Sequence, residues 1–389
     1  MGEGQITENS GRIGGMSTGT IKIVACISML IDHFAASLLS QRLFHTGKLS
    51  LLNIWPDLSP EMMKEIIMVL RQVGRPAFLI YAFFLTFGFT KTKNKFMYLL
   101  RLLALAVISE VPFDMMLYGK IFNNNYQNVF FTLSIGLGTI WLMDICIKDI
   151  EKLKSDLIYI VNNRNIDKSL ILKGSPTKTV NAIRFLIFKD IVLILMIFFV
   201  GIGLANNLKT DYSYMGVTVI VIMYLFNLGY KYASYGIMLI SPIINFASVV
   251  TWYLWKVVLI SLGPDADYVP NAQQINSTLR IVLKNNLVLL GFCALVLLFF
   301  IAIRLVTKDH LAVSSVKKGR LPEAQVYFYS SLLGALFLFA INHAEACAFV
   351  GSFFILVFNG KKGWNNKWFF YLFYPVHLLI FGLVMFFSR

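Results

Sequence analysis

Charged residues are scarce in this sequence, and their scarcity excludes an ordinary soluble domain. Asp, Glu, Lys and Arg make up 14% of the 389 residues, against about 25% in soluble globular proteins. Hydrophobic residues reach 57%, and the mean hydropathy is +0.69. Apolar runs of about eighteen or more residues recur along the chain, whereas alternating strand patterns of about ten residues are absent. The composition predicts an all-α polytopic membrane protein in a lipid bilayer.

Cysteine is also rare, and familiar catalytic and metal-binding motifs are missing. The four cysteines, Cys26, Cys146, Cys293 and Cys347, all lie in apolar segments, where they are typical small buried residues and neither disulfide partners nor metal ligands. There is no HExxH, no GxSxG, no P-loop and no histidine pair at i and i+4. We therefore expect no metal cofactor.

Basic residues outnumber acidic ones by 35 to 20, which gives a net charge of +15. In a soluble protein this balance would suggest a nucleic-acid partner. Here the Lys and Arg residues cluster in loops between apolar segments, as in "KTKNK" (91–95) and "NGKKGWNNK" (359–367). Because cytoplasmic loops of membrane proteins carry an excess of basic residues, we expect the N-terminus inside, the C-terminus outside and no nucleic-acid partner.

The hydrophobic pattern predicts a bundle of about 10–11 transmembrane helices in a single domain, residues 21–389, after a cytoplasmic tail at 1–20. A basic, weakly periodic segment at about 148–189 is expected to be a cytoplasmic insertion of low order, with or without a short surface helix. Small-residue patterns are too sparse to indicate an oligomer. The predicted helices lie at 21–39, 69–89, 97–117, 128–147, 187–206, 215–230, 234–261, 281–304, 326–341, 345–359 and 368–387.

Several polar residues fall inside these apolar segments. The stretch "ISMLIDHFAASLL" (27–39) places Asp32 and His33 near the middle of the first helix, where an ionisable group costs at least about 2.5 kcal/mol. With the N-terminus inside, the other polar groups fall at a similar depth, between the midplane and the outer leaflet. We therefore expect them to line one buried cavity. They are Arg75, Glu110, Asp114, Gln127, Asn128, Asp211 and His377.

Each of these residues also has a purely structural interpretation. Arg75 could form an ion pair with Glu110 or Asp114 that only joins two helices. Asp114 and Asp211 could be solvated at helix ends, and His377 could be a core histidine bonded to a backbone carbonyl. Adjacent helix residues point about 100° apart, so Asp32 cannot easily orient His33. We expect Asp32 to pair with Arg75, and another carboxylate or an amide to orient the imidazole.

The residues alone leave two classes of function open. Imidazole has an ordinary pKa near neutral pH, so His33 suits proton abstraction from an amine or hydroxyl. The first class is thus an enzyme with His33 as its general base. The second is a proton-coupled membrane transporter that uses the buried carboxylates and histidines as a relay.

Five stretches resemble the TraX family of membrane acetyltransferases, which is distantly related to acyltransferases that use acyl-CoA. They are "IKIVACISMLIDHFAA", "VGRPAFLIYAFFLTFGFTKTKNKFMYLLRLLALAVISEVPFD", "QNVFFTLSIGLGTIWLMD", "TDYSYMGVTVIVIMYLF" and "NGKKGWNNKWFFYLFYPVHLLI". The resemblance implies an acetyl-CoA-dependent acetyltransferase in a bacterial cell membrane, with His33 as the catalytic histidine. It also implies that the site includes Asp32, Glu110, Arg75, Asp114, Gln127, Asn128, Asp211 and His377.

The basic residues, and the depth at which the polar residues lie in the membrane, fit an acetyl-CoA-dependent acetyltransferase. Lys91, Lys93, Lys95 and Arg101, at the cytoplasmic ends of two helices, are reasonable partners for the phosphates of acetyl-CoA, although ordinary cytoplasmic loops carry such residues too. The acceptor would approach from the outer side. An exported peptide N-terminus, a surface glycan and a lipid-linked sugar all remain open. Candidate donors to the oxyanion are Asn128, Gln127 and Arg75.

Overall fold

The computed structural model describes residues 15–40, 59–162, 176–230, 233–238, 323–364 and 366–387. Within these ranges the chain forms helices joined by short turns. Outside the helices, the described backbone pairs in two isolated bridges, Met16 with Phe358 and Gln127 with Thr210. The predicted all-α polytopic architecture is confirmed for this part of the chain.

The helices are numbered in chain order. The first, α1 (Thr18–Phe34), continues through a π-helical turn (Ala35–Leu39), and a 3₁₀ turn (His343–Glu345) precedes α9. The others are α2 (Pro60–Gly74), α3 (Pro76–Lys91), α4 (Lys95–Tyr118), α5 (Val129–Asn162), α6 (Pro176–Asn207), α7 (Ser213–Asn227), α8 (Glu323–Ile341), α9 (Ala348–Leu356) and α10 (Lys367–Phe387).

Local sequence signals explain several helix ends. Ser17 caps α1, because its hydroxyl accepts a hydrogen bond from the backbone N–H of Thr20 at 3.3 Å. Asn94 caps α4 in the same way, through the N–H of Met97 at 2.9 Å. Gly119 ends α4 with φ 56°, in the left-handed region that glycine adopts easily. Pro76, which cannot donate a backbone hydrogen bond, separates α2 from α3.

Six helical segments of the described residues are long and apolar enough to cross a membrane. They are Thr18–Leu39, Glu61–Lys91, Lys95–Tyr118, Val129–Tyr159, Val180–Asn207 and Lys367–Phe387, and two shorter apolar helices cover Ser213–Asn227 and Gln325–Phe339. Apart from 234–238, the helices predicted at 234–261 and 281–304 lie outside the described residues.

The segment at 148–189 differs from the low order expected of it, as far as it is described. Residues 148–162 continue α5, and residues 176–189 form the beginning of α6. Both stretches are more polar than the membrane-spanning parts of the same helices. A polar helical extension lacks the apolar periodicity by which a helix is recognised in a sequence, and this explains the difference.

The core of the bundle is built around α3 and α7. Both helices are apolar on all sides and most of their side chains are buried, as expected of a helix surrounded by other helices. Helix α1 packs against α2, α3 and α10, and α10 also packs along α4. Asp32 and His33 lie in the last turn of α1, where they contact α2 and α10.

Helix α1 runs antiparallel to α2 and α3, which defines two ends of the bundle. Lys22 near the start of α1 faces Phe84 in the middle of α3, whereas Asp32 near the end of α1 contacts Arg71 in the preceding helix α2. The first end, which we term the lysine-rich end, also carries Lys91, Lys93, Lys95, Lys361 and Lys362. There the backbone of 357–362 is hydrogen-bonded to the start of α1.

Candidate active site

A cavity of about 190 Å³ lies between α1, the junction of α2 and α3, α4, the start of α5, the residues before α7, and the first turns of α10. Part of its wall is apolar, formed by Phe78, Phe113, Phe130 and Phe370 among others. The rest is unusually polar for the interior of a membrane protein. The polar lining residues are Asp32, His33, Arg71, Arg75, Tyr81, Tyr126, Asp211, Tyr212 and Tyr374.

His33 is held by a second histidine from the far end of the chain. Its Nδ1 lies 2.7 Å from Nε2 of His377, and Nδ1 of His377 lies 2.6 Å from the carbonyl oxygen of Phe373. A carbonyl oxygen can only accept, so Nδ1 of His377 carries a proton. In neutral His377 the other nitrogen then accepts, and Nδ1 of His33 must donate to it. Neutral His33 therefore has its lone pair on Nε2.

The elements around His33 explain why this contact forms. The α-helix changes to a π-helical turn directly after Phe34, and the Ser37 hydroxyl donates to the carbonyl of His33 at 2.6 Å. Such π-turns are frequent at functional sites. On α10, Phe370, Tyr374 and His377 recur at helical spacing, and the Tyr374 ring meets the His33 ring edge-on with centroids 5.8 Å apart. These contacts fix the plane of the imidazole.

Asp32 forms an ion pair with Arg71, with Oδ2 and Nη1 3.1 Å apart. This differs from the predicted pairing with Arg75, because the approach of α1 to α2 brings the preceding turn of α2 against Asp32. The other carboxylate oxygen, Oδ1, is buried and has no hydrogen-bond partner in the described residues. Arg71 was missed in the sequence, although its position one helical turn before Arg75 indicates a shared face.

Arg75 bonds instead to Glu345 from the 3₁₀ turn, with Nη1 and Oε1 3.0 Å apart, and approaches the Tyr212 hydroxyl at 3.5 Å. The structural ion pair with Glu110 or Asp114 that was considered from the sequence is thus replaced by a pair with Glu345. Glu345 lies in a turn remote in sequence, and no local signal indicated its partner. Burial raises the pKa of Glu345 to about 7, and the charge of Arg75 opposes this rise.

The residues before α7 complete the polar wall. Oδ1 of Asp211 accepts hydrogen bonds from the Tyr126 hydroxyl at 2.9 Å and from the backbone N–H of Tyr212 at 3.0 Å. Tyr212 has a left-handed backbone, with φ 60°, and its ring stacks on Phe78 with centroids 3.9 Å apart. Burial raises the pKa of Asp211, and the hydrogen bond from Tyr126 lowers it. The left-handed backbone of Tyr212 is strained, and such strain persists only where the surrounding structure enforces it.

Four other polar residues predicted for the site do not line the cavity: Glu110, Asp114 and Asn128, which are buried, and Gln127, which is partly buried. Oε2 of Glu110 accepts from the side chain of Asn128 at 2.5 Å, and Oδ2 of Asp114 accepts from the backbone N–H of Asn123 at 2.7 Å. The backbone of Gln127 pairs with Lys209 and Asp211. The structure thus gives these residues a clear role in fixing the start of α5 against α4 and α7.

The four basic residues predicted to bind acetyl-CoA all lie outside the cavity lining. Lys91, Lys93 and Arg101 are exposed. Lys95 donates to the backbone carbonyl of Phe89, and its ammonium lies 4.0 Å from the centroid of the Phe89 ring. Lys95 therefore caps the C-terminal end of α3, where the helix dipole stabilises a cation.

The family to which the chain belongs follows from a comparison with family models. The model described as "TraX protein" matches residues 17–266 and 273–385, which together cover most of the sequence. The chain belongs to the TraX family. The resemblance seen in the separate motifs is thereby confirmed and extended over nearly the whole chain. Comparisons with curated proteins and with solved structures gave no match.

All cavity-lining residues of this TraX protein fall within the matched ranges, and so do His377 and Glu345. Within the described residues, no group of three or more His, Cys, Asp and Glu side chains is arranged to hold a metal ion. The arrangement of Asp32, His33 and Arg75 around one cavity offers a proton acceptor, an unpaired carboxylate oxygen and a cation within the bundle.

Proposed function

We propose that this TraX protein transfers an acetyl group from cytosolic acetyl-CoA to an amine or hydroxyl of an acceptor on the outer side of the membrane. The acceptor classes are those left open by the sequence: an exported peptide N-terminus, a surface glycan or a lipid-linked sugar. The observation that carries the proposal is the contact from the Phe373 carbonyl through His377 to His33. It makes Nε2 of His33 a proton acceptor in a polar cavity inside the bundle.

The proposed step needs one base and no reactant besides the acceptor and the thioester, because the proton taken from the acceptor ends on the leaving thiolate. The acceptor N–H or O–H gives its proton to Nε2 of His33 while its nitrogen or oxygen bonds to the thioester carbonyl carbon. The carbon–sulfur bond then breaks, and the proton returns from His33 to the departing thiolate. General bases of this kind contribute about 10²–10⁴-fold to the rate.

Arg75 suits the charge that develops during this step. The thioester carbonyl oxygen becomes negative, and a fixed donor within hydrogen-bond distance stabilises it. Of the three donors suggested by the sequence, Arg75 lines the cavity, and its Nε is buried with no hydrogen-bond partner in the described residues. Asp32 neutralises Arg71 and leaves Oδ1 available to an acceptor ammonium or hydroxyl.

Proton-coupled transport is the alternative, and the same His33–His377 contact favours it because two bonded imidazoles can pass a proton between two helices. A transporter would accumulate its substrate when a proton gradient is applied and would need no acyl donor. An acetyltransferase would bind and slowly hydrolyse acetyl-CoA even without its acceptor.

The first experiment measures acetyl-CoA binding and thioester hydrolysis by the detergent-purified protein and by His33→Ala. We expect both proteins to bind acetyl-CoA and only the wild type to hydrolyse it above background. Ile27→Ala is the matched control, because Ile27 lies on the same helix and 54% of it is exposed at the surface of the bundle. Absence of acetyl-CoA binding at millimolar concentration in all three proteins would exclude the acetyltransferase and leave transport.

A further inference from the structure

Lys22 is a cation within the membrane-spanning part of α1 that forms no ion pair in the described residues. Its ammonium lies 5.5 Å from the centroid of the Phe84 ring and 5.4 Å from that of the Phe370 ring. The four ion pairs among the described residues involve other cations. Two aromatic faces partly compensate a cation removed from water, but they do not neutralise it.

Lys22 also differs from the other lysines at the lysine-rich end. Lys95 is bonded to a helix carbonyl, and the others are exposed: Lys91, Lys93, Lys361 and Lys362. Lys22 is partly buried between α1, α3 and α10. A lysine that only served the general excess of positive charge on one side would extend its ammonium into water or lipid headgroups.

The position of Lys22 connects it to the cavity. Phe370, whose ring lies near the ammonium, belongs to the first turn of α10 and also lines the cavity. Along α1, the residues Lys22, Cys26, Met29 and His33 are spaced by four, three and four positions, so they share one face of the helix. The unpaired cation and the catalytic imidazole thus lie on one line.

The distance from Lys22 to His33 along α1 matches the length of the pantetheine arm of a thioester donor. His33 lies eleven positions after Lys22, which is about 16 Å along a helix axis. An extended pantetheine arm, with its two amides, has a comparable reach of about 16 Å by the bond lengths of a peptide chain. With the thioester at His33, the phosphate at the far end of the arm would therefore reach the level of Lys22.

We propose that Lys22 binds the phosphate attached to the pantetheine arm of the acyl donor, and that the arm runs past Phe370 between Lys22 and His33. This rests on the acetyltransferase function proposed above. It assigns phosphate binding to a lysine inside the bundle, in place of the exposed Lys91, Lys93 and Arg101. The phosphate supplies the counter-charge that Lys22 lacks, in a setting where a charge-assisted hydrogen bond is strong.

The test compares two truncated donors, acetyl-phosphopantetheine and acetyl-pantetheine, which differ only in this phosphate. In the wild type we expect the phosphate to improve the apparent affinity by about tenfold or more. In Lys22→Met this advantage should fall to about twofold or less, and Lys22→Arg should restore part of it. Lys152→Met removes the same charge from an exposed site on the extension of α5 and should keep the full advantage.

The outcomes separate this proposal from the function on which it rests. If the wild type hydrolyses both donors with equal apparent affinity, phosphate binding at Lys22 is excluded and the acetyltransferase stands. The same conclusion follows if Lys22→Met retains the full phosphate advantage. If neither donor nor acetyl-CoA is bound or hydrolysed by the wild type, the acetyltransferase itself is excluded. The wild-type comparison decides the matter even if Lys22→Met fails to fold.

Discussion

At the scale of single residues, the contact between His33 and His377 makes His377 a positioning residue. Its Nε2 accepts a hydrogen bond from the Nδ1–H of His33 and so selects the ring form of His33 that has its lone pair on Nε2. His377→Phe removes this acceptor, and we expect it to lower the turnover number about 10²-fold or more with little change in KM. In His377→Gln the amide oxygen can accept the same hydrogen bond, so we expect this variant to retain a larger share of the activity.

A structural role for His377 would also reduce activity, so a second measurement is needed. Nitrogen-15 NMR of histidine-labelled protein reports which ring nitrogen carries the proton, and His33→Ala identifies the signals of His33. We expect one ring form in the wild type and in His377→Gln, and a mixture in His377→Phe. An unchanged ring form in His377→Phe, together with lost activity, would contradict the positioning role.

The sequence predicted the individual members of the site better than their partners. The depth of Asp32, His33 and Arg75 in apolar segments, and the position of Asp211 just before another, were enough to expect them around one cavity, which they line. The partner of His33 lies 344 residues away, and that of Arg75 lies in a turn between two later helices. Such pairings depend on how the helices pack, and helical periodicity in a single sequence carries no information about packing.

At the scale of helices, the approach of α1 to α2 depends on Gly74. A Cβ atom at this position would lie 2.2 Å from Cβ of Asp32 and 2.7 Å from its Oδ1. Gly74→Ala must therefore push α1 away from α2 and disturb the pair between Asp32 and Arg71. We expect a lower melting temperature in detergent and a loss of acetyl-CoA hydrolysis.

A glycine in open space provides the matched control for this prediction. Gly138 in α5 has nothing within 4 Å of an added Cβ. Since alanine is favoured over glycine inside a helix by about 1 kcal/mol, Gly138→Ala should keep or raise the melting temperature. Equal melting temperatures for Gly74→Ala and Gly138→Ala would show that the two helices have room to separate and that close packing at Asp32 is unimportant.

At the scale of the whole molecule, the helix content followed from the sequence, but the roles of the basic residues did not. Runs of apolar residues are long enough to indicate membrane helices directly. Lysines at helix ends are ambiguous, because the same residue can mark a cytoplasmic loop, cap a helix or bind phosphate. Lys95, which was predicted from the sequence to bind phosphate, caps α3. Lys22, which was not predicted, lies against Phe370 of the cavity wall.

The last prediction concerns the orientation of the molecule in the membrane, on which the sidedness of the proposed reaction depends. The lysine-rich end should face the cytoplasm, following the positive-inside rule, and the loop between α4 and α5 should face outward. Lys93 and Asn124 are exposed at these two ends.

In intact cells, a membrane-impermeant maleimide should label Asn124→Cys and not Lys93→Cys. After permeabilisation it should label both, and the unmodified protein gives the background from the native cysteines. Labelling of Lys93→Cys alone in intact cells would show that the molecule has the opposite orientation in the membrane. Cytosolic acetyl-CoA would then have to enter from the end of the bundle that carries the loop between α4 and α5, the side proposed above for the acceptor.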